Sequence, residues 1–350
     1  MKKTIAIVLS LVMVLALAAC GGSKPAAPAA PAAPAAPAAP AAPAAPAAPA
    51  EGGAKDGGTN LTFTTGGETG TYYGFGNVLA NKVGDMTSTS VKAITSGGSA
   101  ANIQALEDGD AQLGFVQSDV MVYAYNGERT FAETGASTGF STVANLYMEQ
   151  VQVITLDPAI KTIADLAGKK VSVGAAGSGV FFNAVDVLGI YGLDVEKDIV
   201  PTYQSFGDST EALQDGKIDA AFVVAGAPTT AVTSLAATKP VYLVSIDDEH
   251  VEKLLAASPY YSKNVISKDA YNTPEDVQTV AVGAVVIANN DVSEADVYNF
   301  LYGVFEHVDE ITAAHAKGAE LNLDFAASVT SVPYHPGAQK YFEEKGITVQ

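Results

Sequence analysis

Five short stretches of the chain share the composition of a ligand site built from backbone: residues 66–73, 96–102, 117–119, 174–179 and 225–229. They combine glycine and other small residues with hydroxyl or amide side chains, and they carry almost no charge. Glycine lets a solute approach the main chain closely. A Ser or Thr at a helix start satisfies one amide and leaves others free to meet an anion, helped by the helix dipole. One such loop is ordinary helix capping. Five of them, divided between the two halves of the chain, point to a cleft around a small polar or anionic solute. Arg129 is the only arginine, so a guanidinium clamp on a carboxylate has a single candidate. It is either a ligand contact or a solvated or Glu-paired surface charge.

Catalytic patterns are weak by comparison. Residues 135–139 read Gly-Ala-Ser-Thr-Gly, the G-x-S-x-G spacing of a nucleophile elbow, which needs a strand before it and a helix after it. Here a helix is expected before and a strand, 140–147, after, so a hydrolase is only a remote alternative. The loop 174–179 lacks the Lys and Ser/Thr of a nucleotide-binding loop. His250, His307, His315 and His335 are scattered, and the eight residues between His307 and His315 make two helical turns, too far for shared ligation. No enzyme activity, metal or cofactor is expected.

Cys20 is the only cysteine, which leaves no intrachain disulfide and no cysteine-zinc site. It follows Leu17-Ala18-Ala19, at the end of an apolar run that begins after Lys2-Lys3. A positive start, an apolar stretch and small residues form an export signal, and the cysteine makes the segment resemble the bacterial lipobox. Residues 1–19 are then a cleaved leader and Cys20 the lipidated first residue, with palmitate-type chains anchoring the protein to the outer face of the cytoplasmic membrane. Without Lys2 and Lys3, 17 basic residues stand against 38 acidic ones. That surface excludes nucleic acid as a partner.

Residues 20–59 read as a spacer. Proline recurs at every third position from Pro25 to Pro49, which removes amide donors and fixes φ, so polyproline II is expected. A flexible glycine-rich hinge, 51–58, follows. From residue 60 onward, strand, polar loop and helix alternate, the grammar of α/β units with parallel strands, whose ligands bind beyond the carboxyl ends of strands. Strands are predicted at 61–65, 90–95, 112–117, 170–173, within 194–203, at 219–224 and at 241–244. Helices are predicted at 71–83, from the loop at 96–99 to 106, after 117–119, up to 191, and from a Ser205 cap to 214. A returning strand at 280–288, a single long helix over 293–316 and a shorter one over 335–344 close the chain. About 290 residues exceed a single core. Two lobes are expected, lobe 1 from 60–155 and 281–350 and lobe 2 from 156–280, sharing strands near 140–156 and 280–288.

The run Thr65-Gly-Gly-Glu-Thr-Gly-Thr-Tyr-Tyr73 is similar to the first glycine loop of TAXI-type solute receptors, the extracytoplasmic binding proteins of tripartite ATP-independent periplasmic (TRAP) transporters. So are residues 95–102, 113–119 and 123–127, the stretch 163–179, residues 215–229, and the closing runs 333–338 and 341–346. The resemblance covers essentially 61–346 and leaves the spacer outside. It implies a two-lobed, class II periplasmic-binding fold that captures a small carboxylate such as glutamate or 2-oxoglutarate. The receptor would deliver that solute to a TRAP permease, and a monomer is expected. The alternative is a sensor that presents the solute to a membrane receptor or kinase. By motif position the resemblance carries ligand contacts to Gly70, Tyr72, Tyr73, Ser99, Asn102 and Gln117 in lobe 1. In lobe 2 it carries them to Ser178, Gly179, Ala225, Gly226, Pro228 and Thr229, with Asn183 added from the first turn of its helix. Tyr72 and Tyr73 either face the solute or pack in the core.

Overall fold

A computed structural model describes residues 53–350. The leader 1–19, Cys20 and the Pro-Ala-Ala repeat lie outside the described residues. The strands are β1 Asn60–Thr64, β2 Ser90–Ile94, β3 Leu113–Gln117, β4 Phe140–Thr155, β5 Lys170–Ser172, β6 Val200–Thr202, β7 Ala220–Ala225, β8 Tyr242–Leu243, β9 Ser262–Ile266 and β10 Val277–Asn289. The helices are α1 Thr71–Met86, α2 Ser99–Glu107, α3 Ser118–Asn126, α4 Val180–Ile190, α5 Phe206–Gln214, α6 Thr230–Ala236, α7 Asp248–Ala257, α8 Glu294–Phe305, α9 Val308–Ala314, α10 Leu323–Ala326 and α11 Pro336–Glu344.

One sheet threads the whole fold in the order β2-β1-β3-β10-β4-β7-β5-β6. Its two ends are parallel, β2-β1-β3 and β7-β5-β6, as short strands joined by crossover helices require. The middle is antiparallel: β10 and β4 run side by side, β10 pairs with β3, and β4 pairs with β7. These two long strands belong to both lobes. Val143, Leu146 and Tyr147 of β4 pack in the first core with Ala284, Val286 and Ala288 of β10. Val151, Val153, Val280 and Val282 of the same strands pack in the second core. The exchange between cores falls around Glu149, which pairs with Val282, and Gly283, which pairs with Met148.

Two local expectations change. The single helix predicted over 293–316 is two helices, because His307 leaves helical geometry at φ −129° and ψ 30°. Its apolar stripe Val297, Phe300, Leu301, Val304, Val308, Ile311 keeps helical spacing across the break, so periodicity could not reveal the bend. The stretch expected as a flexible hinge is docked at its end. Lys55 exchanges backbone hydrogen bonds with the Asn299 amide group, and Thr59 donates to the Asp296 carboxylate from both amide and hydroxyl. The Gly-Ala-Ser-Thr-Gly run is irregular chain before β4, and Ser137 donates to Glu107 Oε1 at 2.6 Å, so the elbow geometry is not formed.

Candidate ligand cavity between the lobes

Five helices start at one cavity, α1 to α5, and three of them begin on glycine: α1, α2 and α4. α1 and α2 belong to the first lobe and α4 to the second. Their N-cap positions are Gly70, Gly98 and Gly179, and none makes a side-chain cap. Among the first-turn amides, that of Ala101 is taken by the Gly177 carbonyl and that of Val180 by Ser178 Oγ; the unpaired ones and the positive end of each dipole face the space ahead. The loops lining the cavity include residues 66–72, 96–99, 175–180 and 204–206, with Gln117, Glu149, Val224 and Ala225 between them. The cavity encloses about 70 Å³. That holds about five waters, at ~10–15 Å³ each, which fits a compact solute.

Of the residues singled out in the sequence, Gly70, Tyr72, Ser99, Gln117, Ser178, Gly179 and Ala225 line this space. Gln117 is 2% exposed and its Oε1 has no hydrogen-bond partner among the described residues. Ser99 Oγ accepts the Gln117 amide at 3.1 Å, and Ser178 Oγ accepts that of Val180 at 3.2 Å. Gly179 presses against the opposite lobe. A methyl group there would overlap Gln117 Oε1 and come within 3.0 Å of Ser99 Oγ, so no larger residue fits this seam.

The others lie off the cavity. Asn102 braces α2 against the sheet, donating to the Thr65 and Phe115 carbonyls at 2.7 and 2.6 Å. Asn183 donates to Asp119 Oδ2 at 3.0 Å and to the Tyr261 hydroxyl at 2.7 Å. Thr229 is held by Gln152, Tyr271 and the Gly226 carbonyl. Gly226 accepts from Thr71 of the other lobe, Pro228 is exposed, and Tyr73 sits half-buried on α1 away from the lining. Arg129 pairs with Asp186 rather than with a solute or a glutamate.

Glu149 was not singled out from the sequence. It is the one charged residue in the sixteen of β4, and that isolation was the available signal. Its carboxylate is 2% exposed at the cavity wall and accepts the Tyr72 hydroxyl at 2.6 Å. The Tyr72 ring stacks on Phe115 at 4.6 Å, which fixes that hydroxyl. Burial pushes the Glu149 carboxyl well above the usual carboxylate range, reinforced by the charge of Asp119 and opposed by the Tyr72 hydrogen bond and Lys317. Burial likewise raises Tyr72, with Glu149 adding to it.

The lobes are clasped around the cavity. Ala101 N–H donates to the Gly177 carbonyl and Ala231 N–H to that of Thr69, both at 3.1 Å. Phe182 of α4 buries among first-lobe residues, stacked near Phe131 and tilted against Tyr123. Beside it runs a polar seam. Arg129 meets Asp186 at 2.6 Å, Asp186 accepts from Tyr261, and Asn183 bridges Tyr261 to Asp119. Burial raises the Asp119 carboxyl to about 7.

Two lobes joined by paired crossing strands, with helix starts facing a shared cleft, make a mixed α/β fold built around one curled sheet. The chain matches the NMT1-like family over residues 63–346 and belongs to that family. Among solved structures it is similar to a protein of Bordetella bronchiseptica RB50, with 15% identity, a TM-score of 0.50, and 81% of this chain and 89% of that one covered. It is also similar to the periplasmic aliphatic sulphonate binding protein SsuA of Escherichia coli (17% identity, TM-score 0.44, 82% and 92% covered). A third is the GluR0 ligand-binding core of Nostoc punctiforme in complex with L-glutamate (15%, 0.44, 74% and 99%). At these identities the likeness concerns the fold.

Proposed function

We propose that this protein is an extracytoplasmic receptor that captures a small carboxylate and hands it to a membrane permease of the TRAP type. The observation that carries the reading is the convergence of three helix starts on glycine, from both lobes, on one cavity. Fixed amide dipoles bind an anion without a cationic side chain, and the lining contains no lysine or arginine. The solute stabilises the clasped form only through contacts made with both lobes at once. The TRAP assignment rests on the resemblance of the glycine loops. The anchor rests on Cys20 and the segment before it. Gly70, Tyr72, Ser99, Gln117, Ser178, Gly179 and Ala225 are the proposed solute contacts. Asn102, Asn183 and Thr229 act instead as braces that hold the loops.

A thermal-shift screen of amino acids, dicarboxylates and 2-oxoacids tests this reading. One class should raise Tm, and Gly179→Ala should reduce the shift at the same solute concentration. A screen with no shift in any class, confirmed by calorimetry, would sink it.

A further inference from the structure

The cavity has two unlike poles. One is the set of helix starts, rich in amides. The other is Glu149. Among the described residues its carboxylate takes one hydrogen bond, from Tyr72, and forms no ion pair. The nearby cation is engaged elsewhere: Lys317 pairs with Glu320 at 2.5 Å. A buried carboxyl with one donor holds its proton in an empty site and ionises when a cation arrives to meet it. Here the wall it occupies opens into the ligand space. The amide pole has its own unsatisfied atom in Gln117 Oε1, a buried acceptor on the lining. Two acceptors without matching donors, beside uncapped amides, form the complement of a solute carrying both an ammonium and a carboxylate.

We propose that Glu149 is the specificity determinant of this site: it receives the ammonium of a compact amino acid whose carboxylate lies against the starts of α1, α2 and α4. The proposal rests on the receptor reading and narrows its solute from carboxylates at large to those bearing an amine. A dicarboxylate or 2-oxoacid would leave Glu149 facing a carbonyl or a second anion. A bare amine would leave the amides unmet.

The test is calorimetry on the full lipidated chain in detergent, with three matched pairs: L-alanine and pyruvate, L-glutamate and 2-oxoglutarate, L-leucine and 4-methyl-2-oxopentanoate. One amino acid should bind at least about 100-fold more tightly than its oxo partner, as a site built for a polar group rejects an analogue lacking it. Glu149→Gln, which keeps shape and removes charge, should cut that preference by about 30-fold or more, the scale of losing one partner of a buried charge pair. Glu149→Asp should retain part of it, and circular dichroism melts verify that each variant folds. Tyr72→Phe separates recognition from support, because it removes the hydroxyl and keeps the carboxylate. As a change at a proposed contact it should weaken both members of a pair alike, and move the preference between them by no more than about 5-fold, by the modest worth of a single hydrogen bond. An oxoacid bound as well as its amino partner overturns the assignment of Glu149 and leaves the receptor reading standing. An unchanged preference in Glu149→Gln, or its loss to the same extent in Tyr72→Phe, also overturns the assignment. No binding of any of the six overturns both.

Discussion

The Arg129–Asp186 pair should control how easily the lobes close. It joins the first lobe to α4 of the second at 2.6 Å, and both ends are already oriented. The Arg129 guanidinium lies over the Tyr123 ring at 4.5 Å, and the second Asp186 oxygen accepts from Tyr261 at 2.9 Å. A charge-assisted hydrogen bond contributes about 1.5–3 kcal/mol. The Arg129 side chain is 32% exposed, so solvent screening brings the figure to about 1–2 kcal/mol. The contact joins the two lobes, so under the closure proposal that energy acts on closure and not on the fold of either lobe. Removing it should weaken solute affinity by a factor of about 5–30. Arg129→Gln, Asp186→Asn and the double variant form the cycle, with affinity measured by calorimetry and stability by melts without solute. The two single changes should each weaken binding, and the double variant should be little worse than either, with a coupling near the value above. A coupling below about 0.3 kcal/mol, within ordinary additivity, would refute the reasoning. So would a loss confined to Tm.

Four further outcomes follow. Gly179→Ala should weaken binding by about 10-fold or more, since one lobe would strike Gln117 of the other, while the melt moves by no more than ~1 kcal/mol equivalent. Asn102→Ala should do the reverse: denaturant titration should show a loss of ~2–4 kcal/mol from two orphaned carbonyls and the lost amide, with affinity per folded molecule little changed. Asp119 has its folded-state pKa raised from the ordinary carboxylate range to about 7, mainly by burial. Its contribution to stability is therefore complete below pH ~4 and is lost as pH rises through about 7; Asp119→Asn should gain on the wild type over that interval in melts at stepped pH. Solute affinity should climb as pH rises from acid, because burial favours protonated Glu149 in the empty cavity and an ammonium requires the carboxylate; calorimetry in buffers of different ionisation enthalpy should register proton release.

The loops were legible because glycine and hydroxyl residues at strand ends have few other uses, and α1, α2 and α4 do begin at the cavity. Which side chains face inward was not legible. Ser99 and Asn102 share one face of α2, yet one lines the cavity and the other braces the sheet, because Asn102 stands about 4.5 Å further along the helix, over the Thr65 and Phe115 carbonyls. Thr229 reads as a helix-start contact, but Gln152 and Tyr271, from distant parts of the chain, turn it into a buried brace. Glu149 stayed hidden for a related reason. A lone charge in an apolar strand has meaning only once the fold shows that its strand crosses from one core to the other beside a cavity. The leader, Cys20 and the spacer rest on sequence alone, and an uptake assay on Cys20→Ala tests them through delivery without touching the cavity.

The central claim is that solute binding brings the two lobes together. Lys92 on β2 and Lys197 before β6 are exposed and mark opposite ends of the sheet. With Cys20 replaced by serine, cysteines introduced at those two positions can carry spin labels for a pulsed-resonance distance measurement. Without solute the distribution should include a longer, open population, and saturating solute should collapse it to the shorter one. A solute that binds tightly and leaves the distribution unchanged would contradict the account.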